Sequence, residues 1–150
     1  MSSARPSASV SASGRPELAA IREYMIVDGK PLREGQGDPI PVHDPATGEI
    51  IAMQLDAGAA QVDLAVQAAR RAFAGGPWHE MLPAGRERLL LNLADLVERH
   101  GEELARLETL NNGKLLGVAQ GLEVGSGAQW LRYMAGWATK LTGDTLALSI

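Results

Sequence analysis

The sequence predicts an α/β chain: a small N-terminal β-meander followed by three helices. Three observations lead there. Short apolar runs at strand spacing occupy the first third. Asp-Gly and Pro-x-x-Gly turn signals separate those runs. Beyond them, apolar residues recur at helical spacing almost to the end.

Taken in order, Met25, Ile26 and Val27 read as a strand running into the Asp28-Gly29 turn, a strong hairpin signal. Gly35 to Pro39 is loop, and Ile40 to His43 is a second extended piece. Asp44-Pro45-Ala46-Thr47-Gly48 is a turn, since proline presets one dihedral and glycine permits a positive φ. Glu49 to Leu55 follows as a third strand. Val62, Ala65, Val66, Ala69 and Phe73 then share one helix face, and Gly75-Gly76-Pro77 stops that helix through a left-handed glycine cap and a proline block. The second helix opens at Pro83 with the stripe Leu89, Leu90, Leu93, Leu96, Val97, His100, Leu104 and Leu107. Gly101 lies within this stripe, where it costs roughly 1 kcal/mol relative to alanine and offers a bend, and Gly113 closes it. The third helix is expected over residues 116–140, with Trp130, Met134, Trp137 and Leu141 on one face. Residues 145–150 alternate, with Leu146, Leu148 and Ile150 on one side, and are expected to be a strand that the chain does not complete.

Composition narrows the function classes. A chain of 150 residues with 45 % hydrophobic content suits one domain with a real core. A net charge of −4 gives no basic surplus for nucleic acid or an anionic membrane. No apolar run approaches the roughly 20 residues that cross a bilayer. The absence of cysteine excludes disulfides, thiolate metal sites and thiolate nucleophiles, and accords with a reducing, cytoplasmic setting. Residues 1–20 read as a disordered Ser/Ala-rich tail; serines with Arg5 and Arg15 also suit an organelle presequence, but no amphipathic pattern accompanies them.

No catalytic constellation emerges from the residues. Gly35-Gln36-Gly37 lacks a third glycine and opens no helix, and Gly125-Ser126-Gly127 has Trp130 where a dinucleotide fingerprint needs glycine or alanine. Gly117, Gly121 and Gly125 recur every fourth residue, which suits close helix packing. His43, His79 and His100 have no metal-ligand spacing, and His100 is expected to be packed on its helix. Glu98, Glu102 and Glu103 read as a solvated helix face. Trp78, Trp130 and Trp137 read as packing residues in preference to a ligand cage.

Several segments in order carry a family resemblance. They are Val27-Asp28-Gly29-Lys30, Asp44-Pro45-Ala46-Thr47-Gly48-Glu49-Ile50, Ala68-Ala69-Arg70-Arg71-Ala72-Phe73 and Gly76-Pro77-Trp78. Arg86 with Leu89-Leu90, Ala94-Asp95-Leu96, and Leu107-Glu108-Thr109-Leu110-Asn111-Asn112-Gly113-Lys114 continue the series. Leu131-Arg132-Tyr133-Met134-Ala135-Gly136-Trp137 and Gly143-Asp144-Thr145 end it. Together they resemble the N-terminal region of the aldehyde dehydrogenase superfamily, and the run 130–150 is most similar to its phenylacetaldehyde-type members.

The resemblance implies that residues 21–140 are the N-terminal part of an NAD(P)-binding domain and residues 141–150 the start of an oligomerisation strand. It implies an enzyme that oxidises an aldehyde to a carboxylic acid with NAD or NADP, assembled as a homo-oligomer. It also implies that the cysteine nucleophile, the general-base glutamate and the cofactor loops lie beyond this chain, so no residue here is assigned as catalytic or cofactor-binding. One family feature maps onto this segment: a monovalent cation, K+ or Na+, at Val42, His43 and Asn111, held largely by backbone oxygens. Asn111 stands where the family has aspartate, and Leu82 where it has a Ser or Thr helix cap, a change of about 1 kcal/mol. The competing reading is a stand-alone, non-catalytic module that pairs through its exposed strand and helix faces.

Overall fold

A computed structural model describes residues 24–145. The tail at residues 1–20 and most of the strand expected over residues 145–150 lie outside the described residues. Strands β1 (Met25–Val27) and β2 (Lys30–Leu32) form one antiparallel hairpin, and β3 (Ile40–His43) and β4 (Ile50–Gln54) form another. The first turns through Asp28 (φ 55°) and Gly29 (φ 71°), both in the left-handed region that Asp-Gly supplies at least cost. Arg33 closes its open end by lying 5.2 Å from the centre of the Tyr24 ring.

A single meander is therefore not what forms. The segment after β2 turns away to bind the chain just beyond β4, with the Gln36 amide donating to the Asp56 carbonyl at 3.0 Å, so β2 and β3 never pair. Close approach also accounts for Gly37, because a Cβ there would meet the Asp56 carboxylate. Gln61 ties this loop to the first helix, donating to the Glu34 carbonyl at 2.7 Å and accepting from the Gly58 amide. The Gly35-Gln36-Gly37 pattern thus serves backbone packing.

Helix α1 spans Ala59–Gly75 and ends at Gly76, which is extended (φ −79°, ψ 168°) and not left-handed as expected. Pro77 then opens a one-turn helix, α2 (Pro77–Glu80), so His79 is helical where loop was anticipated. Helix α3 spans Pro83–Arg99 and α4 spans Gly101–Asn112. The second helix of the sequence reading is thus two, parted at His100 (φ −98°, ψ 16°). The break lets α3 pack along the last helix, α6, while α4 packs along a separate π-helical turn. Gly113 caps α4 in the left-handed region, as expected. The third helix is likewise divided into α5 (Leu116–Val118), the π turn (Ala119–Val124) and α6 (Gly125–Trp137).

The buried core is made mostly of small residues: Ala52 on β4 beside the larger Ile51, then Ala68, Ala94, Ala105, Ala119, Ala128 and Ala135. Alanine lets the helices approach closely, with Ala94 of α3 and Ala128 and Ala135 of α6 fully buried. The larger residues of the anticipated stripes stay exposed, Phe73 at 84 % and Leu89, Leu93, Leu96 and Leu104 more moderately. No described element covers those stripes. Gly117 and Gly121 likewise face open space, so the close packing expected of the glycine series is not made among the described residues.

Candidate functional site

The β3–β4 hairpin and α4 enclose a cleft of about 470 Å³, lined by Val42, Ile51, Ala52, Gln54, Leu104, Leu107, Glu108 and Asn111, among others. Sequence places both walls. Asp44 folds the hairpin turn: its Oδ1 accepts from the Ala46 amide at 2.8 Å and its carbonyl accepts from Gly48 at 2.7 Å. Pro45 of that turn lies against Gly113, where a Cβ would come within 3.0 Å of its ring. The two segments that the resemblance singled out, around Asp44 and around Asn111, therefore meet in space.

A register shift falls between Val42 and His43: Val42 faces Ala52 and His43 faces Ile50. The extra residue, Ile51, breaks the strand alternation, so Ile51 and Ala52 both turn inward. A bulge of this kind disrupts the ladder locally and redirects its carbonyl groups. Val42 and Asn111 line the cleft together, whereas the His43 side chain does not: its Nδ1 donates to the Gly48 carbonyl at 3.1 Å. Gln54 and Glu108 also line it, and the sequence reading did not assign them. Their spacing carried the signal, since Gln54 lies two residues from Ala52 on a strand and Glu108 three from Asn111 on a helix.

Charge concentrates at the far end of α4. Lys114 Nζ donates to Glu123 at 2.7 Å and to Glu108 at 3.3 Å, bridging α4 to the π turn. The hydrogen bond to Glu123 raises the Lys114 pKa against partial desolvation, and Glu108 adds to the rise. On the other side of the helices, Arg132 joins α6 to α3 by binding Glu98 at 2.7 Å and Asp95 at 2.6 Å; Glu98 foremost raises its pKa. Glu102 pairs with Arg106, so the expected solvated face is also a set of ion pairs.

The remaining candidates fall apart spatially. His100 is not packed; it sits at the α3–α4 junction with Nδ1 3.3 Å from Glu103 and more than half its side chain exposed. Trp130, Tyr133 and Trp137 stack edge-to-face along α6 on an exposed surface, and Trp78 is apart on α2. Arg86 has a structural task, with Nε and Nη2 donating to the Met81 carbonyl at 3.1 and 2.8 Å to hold the α2–α3 turn. Among the described residues, no three His, Cys, Asp or Glu side chains gather as a metal site, and no helix is long and apolar enough to cross a membrane.

Comparison with known proteins is consistent along the chain. The sequence profile of the aldehyde dehydrogenase family matches residues 32–149. The phenylacetaldehyde dehydrogenase of Pseudomonas fluorescens is 48 % identical over 140 residues, 92 % of this chain and 28 % of that protein. The mitochondrial aldehyde dehydrogenase family 2 member B4 of Arabidopsis thaliana is 41 % identical over 131 residues, 87 % of this chain and 24 % of that one. The NAD+ complex of an aldehyde dehydrogenase from Bacillus cereus superposes with a TM-score of 0.83 at 39 % identity, over 90 % of this chain and 28 % of that chain. The chain thus spans about a quarter of the length of the relatives it matches.

Proposed function

This chain belongs to the aldehyde dehydrogenase family, and on that premise we propose that it is the N-terminal segment of an NAD(P)-dependent enzyme oxidising an aldehyde to a carboxylic acid. The match over residues 32–149 carries the proposal. The segment contributes scaffold and not chemistry: without cysteine it cannot supply the thiolate that attacks the aldehyde in this family. When bound, NAD(P) accepts the hydride; its contacts belong to parts of the enzyme outside this segment. Phenylacetaldehyde is the first substrate to test, given the relative that is 48 % identical. The proposal includes a cytoplasmic homo-oligomer, supported by the cysteine-free composition and by the large apolar side chains left outward on α1, α3 and α6. The same match favours this reading over a stand-alone interaction module.

A monovalent cation, K+ or Na+, belongs to the same proposal, at Val42, His43 and Asn111. The cleft fits a hard cation: oxygen-bearing Gln54, Glu108 and Asn111 line it beside the Val42–His43 register shift. Its role there would be to join the hairpin to α4.

A chimera tests the enzyme reading. This chain, substituted for the matching segment of the Pseudomonas fluorescens enzyme, should retain NAD(P)H production from phenylacetaldehyde, while the 15.9 kDa chain alone should give none above a heat-killed control. A folded but inactive chimera, or turnover by the chain alone, would refute the proposal.

A further inference from the structure

We infer that the Asn112–Gly113 peptide link is a site of spontaneous deamidation that the end of α4 holds shut, with Glu108, Lys114 and Glu123 as its clasp. Asn92 is followed by Leu93 and Asn111 by Asn112, so Asn112 alone precedes a glycine. That order matters chemically. In deamidation the amide nitrogen of the next residue attacks the side-chain carbonyl carbon, and glycine puts no Cβ in its way. The Gly113 nitrogen gives its proton to water and bonds to Cγ of Asn112, while the Cγ–Nδ2 bond breaks and Nδ2 leaves as ammonia. Water then opens the resulting succinimide ring at either carbonyl, leaving aspartate or isoaspartate. Asn112 and Gly113 are both exposed, so water reaches them.

In the folded chain the reacting atoms are all engaged. The Gly113 amide donates to the Thr109 carbonyl at 2.8 Å, capping α4. Asn112 is the last residue of that helix, and ring closure requires its backbone to leave the helical region. Its side chain is held at both ends: Oδ1 accepts from the Lys114 amide at 2.9 Å, and Nδ2 donates to Glu108 Oε1. Lys114 Nζ in turn fastens Glu108, at 3.3 Å, to Glu123 of the π turn, at 2.7 Å. The reaction therefore waits for the last turn of α4 to open, and its rate follows the open fraction. It is also one-way. A carboxylate at position 112 has no donor for Glu108 and repels it, and isoaspartate lengthens the main chain where Gly113 lies against Pro45. Deamidation thus unseats the β3–β4 hairpin from the end of α4.

Peptide-mapping mass spectrometry of the full chain, incubated at mildly alkaline pH with and without urea, tests this. Each variant's folded rate is divided by its own rate in urea, which cancels effects of local sequence. Asn112 should convert at least about tenfold more slowly in the folded chain than in urea. Lys114→Met should speed the folded reaction about threefold and leave the urea rate unchanged. Arg132→Met removes the links from α6 to α3 and should leave Asn112 as slow as before. If Lys114→Met abolishes the urea transition altogether, Glu123→Gln, which keeps the Glu108 contact, is read in its place and should also speed the reaction. Equal rates with and without urea, or no conversion even in urea, would overturn the guarded site. Loss of the clasp without effect would overturn it as well, and so would equal acceleration by Arg132→Met, since unfolding of the whole chain would then govern the reaction.

Discussion

Leu82 precedes Pro83 at the start of α3 with extended dihedrals (φ −62°, ψ 149°) and offers no side-chain hydrogen bond to the helix. Four amides at a helix start have no partner within the helix, and a Ser, Thr or Asp cap serves one of them. Leu82 is also 77 % exposed, so replacing it removes little packing. Leu82→Asp should therefore stabilise the chain by about 1 kcal/mol, read as a shift in a urea melt. Ala94 makes the opposite case, being fully buried where α3 meets α6. Ala94→Leu should destabilise by about 1–3 kcal/mol, since the two helices must part to admit it. An unchanged melt would show that this interface is loosely packed.

Between elements, the ionic links at the surface are pH-dependent in a definite sense. The Lys114 pKa is raised above its ordinary value of 10.5 in the folded chain, chiefly by Glu123. A raised folded-state pKa contributes stability that is fully present below the unfolded value and is lost as pH rises through the folded one. The link between α4 and the π turn should hold through neutral and mildly alkaline pH and fail only beyond the ordinary lysine range. Comparing thermal melts of the unaltered chain with Lys114→Met checks this: a small deficit, equal at about pH 7 and about pH 9, should vanish in stronger alkali. A deficit that persists there would mean the lysine stem, not its charge, matters. The elements themselves were partly legible beforehand. The Asp28-Gly29 hairpin, the Asp44 to Gly48 turn, α1 and the Gly113 cap follow from local backbone chemistry. The break at His100 falls beside Gly101, where the sequence offered a bend, whereas no local signal marked the π turn that begins at Ala119.

The chain as a whole leaves its large apolar residues outward. Among the described residues no large side chain is fully buried, while Trp130 is 60 % exposed, Leu122 66 % and Leu141 81 %. Exposed apolar area of this kind marks a surface meant for a partner or for more of the same protein. The isolated chain should accordingly self-associate, its apparent mass by light scattering rising with concentration. A monodisperse monomer with cooperative unfolding would instead mark a self-sufficient domain.

Family membership, the lack of a thiolate and the order of strands and helices are properties of the sequence alone. Each depends on residue identity or on contacts a few positions apart. The pairing of strands into two separate hairpins, the alanine seam between α3 and α6, and the cleft that brings Val42, Gln54, Glu108 and Asn111 together needed the tertiary structure. These depend on which distant segments approach, and Asp56, Pro45 and Val124 lie at three of the approaches. The loop after β2 binds back on Asp56, Pro45 seats the hairpin on the end of α4, and Val124 of the π turn lies where α4 begins, 3.8 Å from where a Cβ of Gly101 would stand.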